Sequence, residues 1–454
     1  RSFTTNYGAN PDPWITDSEG RTVYSCHYYM DSDHSGVYSG GWSDDALANL
    51  HNDVLPFFEW CKSKGVTGFV GEYGVPNDDD RWLSPLTQLL KYMDDYEIWG
   101  TQWAAGEWYT SATTCHPTES YTVERNQTKV LKLYGGGNHT TYVPGYRTKF
   151  QSVDTMTWSK DSMRGSTDAH GGYTLAQIAS WIDVCASMNT THIAISCPMD
   201  EVADYVGEMD ANGGIGYMAN WIAAIRDNGN GVFFRGTFNE FEGIYDSDIY
   251  TYSMRAPGAA VADVANLTAD SWLKKVYDFI VNNPTLFAEN DIFAPFPEPT
   301  SHQFEGNWTG DQDETLWESN SICSQFYFDL KIVCDIAFAE AGIRGVYTGL
   351  SCCTYSELNS GWITTKFYQG GNCIPVDHYS SNASSWTSEL AALYDAKSFL
   401  GSYYKMFIQE FGDIFNEAGT QTSADLVEDY LDGIQANLSD YNGINYWAAP
   451  GALI

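Results

Sequence analysis

From Ser152 to Gly451, short apolar runs alternate with longer stretches of helical period, and few architectures accept that order. "SVDTMTW" precedes "TLAQIASWIDVCASM". "THIAISC", "GVFFRGTF" and "DIFAPFPEP" each precede a helical pattern such as "GYMANWIAAIRDNG", "SWLKKVYDFIVNN" or "ICSQFYFDLKIVCDIAFAEAG". "GVYTGLS", "CIPVDHYS", "KMFIQEFGD" and "INYWAAPG" complete the series. Runs this short, separated by helices, cannot be joined as hairpins, so the strands are parallel. Eight such units in about 300 residues predict an α/β fold, a closed (β/α)8 TIM barrel. An open doubly wound sheet is the alternative, but no glycine-rich phosphate loop follows the first strand.

The chain before this series is organised differently. "TVYSCHYYMD", "VTGFVGEYG" and "IWGTQWAAGEWY" read as strands, with "ALANLHNDVLPFFEWCKSKG" and "LSPLTQLLKYMDDYE" as helices between them. Three β/α steps do not close a cylinder. The glycine-rich "YGGGNHTTYVPGY" then reads as a surface crossing. The expected division is a partial barrel over 1–140 and a complete barrel over 141–454.

A formal net charge of −36 excludes nucleic acid and anionic membrane as partners, since both select basic surfaces. No run approaches the length of a membrane span. No charged-then-apolar leader opens the sequence, so a signal peptide is expected to have been removed or to lie upstream. Ten cysteines suit an oxidising compartment, and disulfides are expected rather than zinc, because no cysteine spacing fits a metal site. Seven N-x-S/T sequons, at Asn126, Asn138, Asn189, Asn266, Asn307, Asn382 and Asn437, point to a secreted, extracellular glycoprotein. No cofactor is implied.

Catalytic groups on a barrel gather at the C-terminal ends of strands. Three such ends of the first unit carry His27 with Tyr29, then Glu72, then Trp103. In the second unit the same order returns as His378 with Tyr379, Glu410 and Trp447. One such residue is ordinary; its recurrence in one order at successive strand ends is not. The set suits glycoside hydrolysis, in which a carboxylate meets the anomeric carbon, His and Tyr orient it, and Trp stacks on the sugar ring. Retaining chemistry needs a second, protonated carboxyl. Glu298, in "FAPFPEPTSH", ends the fourth strand and is preferred over Glu240, in "FRGTFNEFEG", which falls one strand early. Arg235, near Glu240, is suited to orienting a carboxylate or substrate. Trp108, Trp158 and Trp386 could line a sugar groove without catalysis, but scattered tryptophans are more often core.

These residues resemble glycoside hydrolase family 5 and the wider clan of retaining (β/α)8 glycosidases. Residues 8–133, through "GFVGEYGVPNDDDRWL" and "GTQWAAGEWY", are similar to the sixth, seventh and eighth strand regions of family 5 cellulases. The resemblance implies that Glu72 is a nucleophile, that His27 and Tyr29 orient substrate and that Trp103 is a stacking platform. In the second unit it is weaker, and it implies Glu410 as nucleophile and Glu298 as acid/base. There Pro297-Glu298-Pro299 departs from the clan's Asn-Glu pair. The expected activity is hydrolysis of a β-linked polysaccharide, a β-glucan, cellulose or a mannan, with poly- or oligosaccharide as partner. The five strands absent from the first unit are expected from a second or cleaved chain, a neighbouring subunit, or a longer polypeptide. The alternative function is a non-catalytic structural glycoprotein, a filament or cell-wall component built from hydrolase-like barrels.

Overall fold

A computed structural model of the chain describes residues 12–104, 115–120, 122–135, 150–155, 159, 174–199, 217–237, 264, 267, 272–295, 322–348, 353–359, 363–371, 373–379, 383–400, 404–412 and 421–447. The chain divides into two compact units. The first comprises 1–147 with 257–267 and 332–344, and the second holds the rest.

In the first unit, β1 (Val23–His27), β2 (Thr67–Tyr73) and β3 (Trp99–Gln102) form a parallel sheet in that order. Helices α1 (Ala46–Asp53) and α2 (Leu55–Lys64) join β1 to β2. Helix α2 stops at Gly65, whose left-handed backbone (φ 62°) turns its N–H back to the carbonyls of Cys61 and Lys62. Helix α3 (Leu83–Asp95) joins β2 to β3, and α4 (Asn126–Tyr134) follows a small hairpin. Alternation along the strands sends Tyr24 and Val70 against the helices, where Tyr24 meets Trp60 edge to face at 5.1 Å, and Tyr73 is buried beyond an irregularity in the β2–β3 pairing. The opposite side of the sheet, the lumen side in a closed barrel, stays open to solvent: Val23 is 50% and Trp99 72% exposed. Helix α3 is covered on its polar side as well, with Ser84, Gln88 and Lys91 buried. Ser84 Oγ donates to Asp335 Oδ2 at 2.7 Å, and Arg344 Nη2 lies 3.2 Å from Asp94 Oδ2, both partners coming from the 332–344 segment of this unit.

The second unit is a (β/α)8 barrel. Its strands are β4 (Phe150–Asp154), β5 (His192–Pro198), β6 (Gly231–Thr237), β7 (Ile292–Ala294), β8 (Tyr347–Thr348), β9 (Cys353–Thr354), β10 (Ile374–Asp377), β11 (Met406–Phe411) and β12 (Tyr441–Trp447). Helices α5 (Leu175–Ser187), α6 (Tyr217–Asp227), α7 (Trp272–Asn282), α8 (Ile322–Ala341), α9 (Thr365–Gly371), α10 (Ala383–Ala396) and α11 (Gln421–Ala436) run between them, and the part of α8 from Ile332 onward belongs to the first unit. The start of α5 is written locally: Thr174 Oγ1 accepts from Gln177 N–H while Gln177 Oε1 accepts from Thr174 N–H, a capping box. All eight strands expected from the sequence are present, and every described pairing among them is parallel.

The sheet order is β8-β7-β6-β5-β4-β12-β11-β10-β9. Its two end strands, β8 and β9, follow one another in the chain, β8 pairing with β7 and β9 with β10. The lumen confirms closure. Phe150, Ala194, Phe233, Ile292, Ala294, Tyr347, Cys373 and Phe407 form one buried cluster, and Phe150 reaches Tyr347 from across the barrel with ring centroids 5.0 Å apart. Gly443 is required beside them, because a Cβ there would lie 2.7 Å from the Phe407 ring and 2.8 Å from Phe150.

The expected disulfide framework is corrected among the described cysteines. Cys26, Cys61, Cys115, Cys185, Cys197 and Cys373 carry free thiols. Burial pushes the Cys26, Cys61 and Cys115 thiols up to about 12, far from the range of a reactive thiolate. Each is used as a small apolar side chain rather than a link.

Candidate active site

In the first unit the site is built around a break in strand pairing. Cys26 is opposite Val70, but His27 is opposite Glu72, so Gly71 is skipped. The bulge brings Glu72 to the rim with its neighbours fixed: Tyr28 N–H donates to the Glu72 carbonyl at 2.9 Å, and Tyr29 Oη donates to Glu72 Oε2 at 2.9 Å. His27 Nδ1 lies 3.4 Å from the same oxygen. Trp103 is 38% exposed beyond the end of β3, its N–H donating to the Tyr73 carbonyl. The structure therefore gathers His27, Tyr29 and Glu72, with Trp103 on the next strand.

In the barrel, Glu410 occupies the C-terminal part of β11, almost wholly buried. Arg235, from β6 and fully buried, joins it to Asp154 at the end of β4. One guanidinium nitrogen donates to Asp154 Oδ2 at 2.5 Å, and another donates to Glu410 Oε1. Tyr379 Oη donates to Glu410 Oε2 at 2.8 Å. Asn445, on β12, donates from Nδ2 to Asp154 Oδ2 at 3.2 Å and to the Gln409 carbonyl at 3.0 Å. Burial raises the Tyr379 hydroxyl well above its ordinary range, and the Glu410 and Asp377 carboxylates add to this while Arg235 opposes it. The phenol thus stays a neutral donor. A carboxylate held by two donors in a buried setting has the arrangement that a nucleophile or an electrostatic stabiliser requires.

His378 goes elsewhere. Its Nε2 pairs with Glu389 Oε2 at 2.8 Å, its ring stacks on Trp386, and Trp386 Nε1 donates to its carbonyl. Burial lowers its basicity, while Glu389 works in the opposite direction. Asp154 and Asn445 belong to the network but were not signalled by the sequence, because their roles depend on which strands are neighbours in the closed order. Trp386 is fully buried core. Glu240, Glu298, Trp108 and Trp158 lie outside the described residues, as do Asn138, Asn266, Asn307 and Asn382. Trp447 ends β12, opposite Asp154 in the register. Asn126, Asn189 and Asn437 are exposed. Among the described residues no group of three or more His, Cys, Asp or Glu side chains could hold a metal ion, and no helix is long and apolar enough to cross a membrane.

Residues 3–107 match the model of the cellulases of glycosyl hydrolase family 5. An endo-beta-1,4-glucanase B of Aspergillus niger is 35% identical over 99 residues, which are 21% of this chain and 28% of that protein. An endo-beta-1,4-glucanase B of Emericella nidulans is 30% identical over 97 residues, 21% and 29% of the two chains. The chain thus spans less than a third of the length of these relatives. Among solved structures, the endoglucanase Cel5A of Pseudomonas stutzeri in complex with cellobiose is 26% identical, with a TM-score of 0.27 over 31% of this chain and 43% of that one.

Proposed function

We propose, starting from a chain whose residues 3–107 are a glycosyl hydrolase family 5 segment, that the protein is a secreted glycoside hydrolase. Its substrate is a β-linked polysaccharide, a β-glucan or mannan, and the barrel is where it is cleaved. One observation carries this reading. The Tyr29–Glu72 pair of the family segment recurs as Tyr379–Glu410 on the barrel, with the same donor on the same carboxylate oxygen.

In this reading Glu410 is the nucleophile. Arg235 and Tyr379 hold its carboxylate in place by hydrogen bonds, and Glu298 is the acid/base. Glu298 gives its proton to the glycosidic oxygen as Glu410 forms an ester with the anomeric carbon. The resulting Glu298 carboxylate then takes a proton from water, which attacks the same carbon and restores Glu410. Two inversions retain the anomeric configuration. Arg235 balances the charge of Glu410 in a site where water cannot.

The test is reducing-sugar release from β-glucan and mannan by the protein and by Glu410→Gln. The substitution keeps the shape and removes the nucleophile, so activity should fall by roughly 10³-fold or more. A Glu410→Gln protein as active as its parent would sink the assignment. No release by either protein, together with regular polymers in micrographs, would favour the structural-glycoprotein reading.

A further inference from the structure

The two glutamate sites can be aligned by backbone pairing alone. On the barrel, Val376 is opposite Ile408, but Asp377 is opposite Glu410, so Gln409 is skipped as Gly71 is skipped beside β1. His378 N–H donates to the Glu410 carbonyl at 3.1 Å, as Tyr28 N–H does to Glu72. Tyr379 then matches Tyr29 through its bond to the carboxylate. These three correspondences agree. Asp377 stands where His27 stands, His378 where Tyr28 stands, and Gln409 where Gly71 stands.

The exchange is coupled. In the first unit the His27 ring fills the space above Gly71, where a Cβ would lie 2.8 Å from His27 Nε2. An imidazole and a side chain at that position therefore exclude each other. The barrel carries the shorter carboxyl of Asp377 and fills the skipped position with Gln409. Gln409 is fully buried, and among the described residues neither its Oε1 nor its Nε2 has a hydrogen-bond partner. An amide kept buried with both ends unmet, next to Glu410, is a costly feature that a bound hydroxyl would relieve.

We propose that Asp377, and not His378, is the sugar-binding neighbour of Glu410, accepting a hydrogen bond from a hydroxyl of the hexopyranose in the cleavage subsite. Gln409 is a positioning residue whose amide completes that hydroxyl's contacts. His378 is a fold residue, fixed by Glu389 and Trp386. The inference rests on the glycosidase reading and replaces an imidazole, which can donate, by a carboxylate, which only accepts.

Calorimetric titration with cellopentaose and with mannopentaose tests it without requiring turnover. The parent protein should bind one of the two. Asp377→Asn should weaken that binding roughly 10- to 100-fold, the loss of a charged hydrogen bond. Glu389→Gln, which disturbs only the support of His378, should bind within about twofold of the parent. Asp377→His should bind poorly because Gln409 fills the ring's space, and Asp377→His with Gln409→Gly should recover binding. Asp377→Asn binding as tightly as the parent would overturn this inference alone. So would a loss at Glu389→Gln equal to that at Asp377→Asn. No binding of either sugar by a parent protein that melts cooperatively would overturn the glycosidase reading with it.

Discussion

At the scale of single residues, Arg235 shows how much the site depends on charge balance. Asp154 is wholly buried and Glu410 nearly so, and both are held by this one guanidinium. Buried ion pairs contribute little net stability, but breaking one leaves an uncompensated charge. Arg235→Met should therefore destabilise the barrel by about 3–5 kcal/mol, read as a lower urea midpoint. Adding Asp154→Asn should return part of that loss. A midpoint unchanged by Arg235→Met would show that the carboxylates are balanced by other groups. The contrast between Asp377 and His378 belongs to this scale too. By letter, "CHYY" and "VDHY" match through their histidines; by register they match through Tyr29 and Tyr379. A one-residue slip flips which side chain faces the site, and a bulge that skips Gly71 or Gln409 leaves no mark in the sequence. That is why the nearness of Tyr379 to Glu410 was legible, whereas the register of Asp377 and the bonds of Arg235, Asp154 and Asn445 were not: Arg235, read beside Glu240, bonds to Asp154 and Glu410.

At the scale of elements, the strands of the barrel were legible because runs buried on both faces are apolar throughout, and the helices because their period differs. The placing of β8 and β9 at opposite ends of the sheet order was not, since each is fixed by a different neighbour rather than by its own residues. The lower end of β5 gives a measurable consequence of such packing. His192 lies against the Phe150 ring, its Nε2 donating to the Asn290 carbonyl at 2.7 Å, and Gly231 leaves it room. Burial pushes its pKa down to about 4, with the Asn290 bond opposing the shift. The folded state thus holds this histidine neutral where the unfolded chain would protonate it. The stability so gained is complete above pH 6.5 and is lost as pH falls from there towards 4. Between pH 7 and pH 5 the loss from this group is about 2 kcal/mol. Denaturant midpoints measured at both values should differ less in His192→Gln than in the parent; an equal difference would assign the acid sensitivity to other groups.

At the scale of the whole molecule, the sequence suggests contiguous units, whereas the compact unit around β1–β3 draws in 257–267 and 332–344. The reason lies on α3. An amphipathic helix of a free-standing layer keeps its polar side in water, yet Ser84, Thr87, Gln88, Lys91 and Asp95 are all buried. Such groups are tolerated only with partners, and the 332–344 segment supplies one in Asp335, which accepts from Ser84, while its Arg344 pairs with the half-buried Asp94 of the same helix. Lys129 of α4 pairs in the same way with Glu340. Three strands with an open lumen side offer little other core to compensate. A fragment of residues 1–147 should therefore lack a cooperative thermal transition and bind a hydrophobic dye, while the full chain melts cooperatively. In the full chain, Asp335→Ala should cost about 1–2 kcal/mol through the stranded Ser84 hydroxyl and its lost bond. Should the fragment melt sharply with a native near-ultraviolet dichroism spectrum, β1–β3 and their helices would be self-sufficient, and the 332–344 segment would be a passive neighbour rather than part of their core.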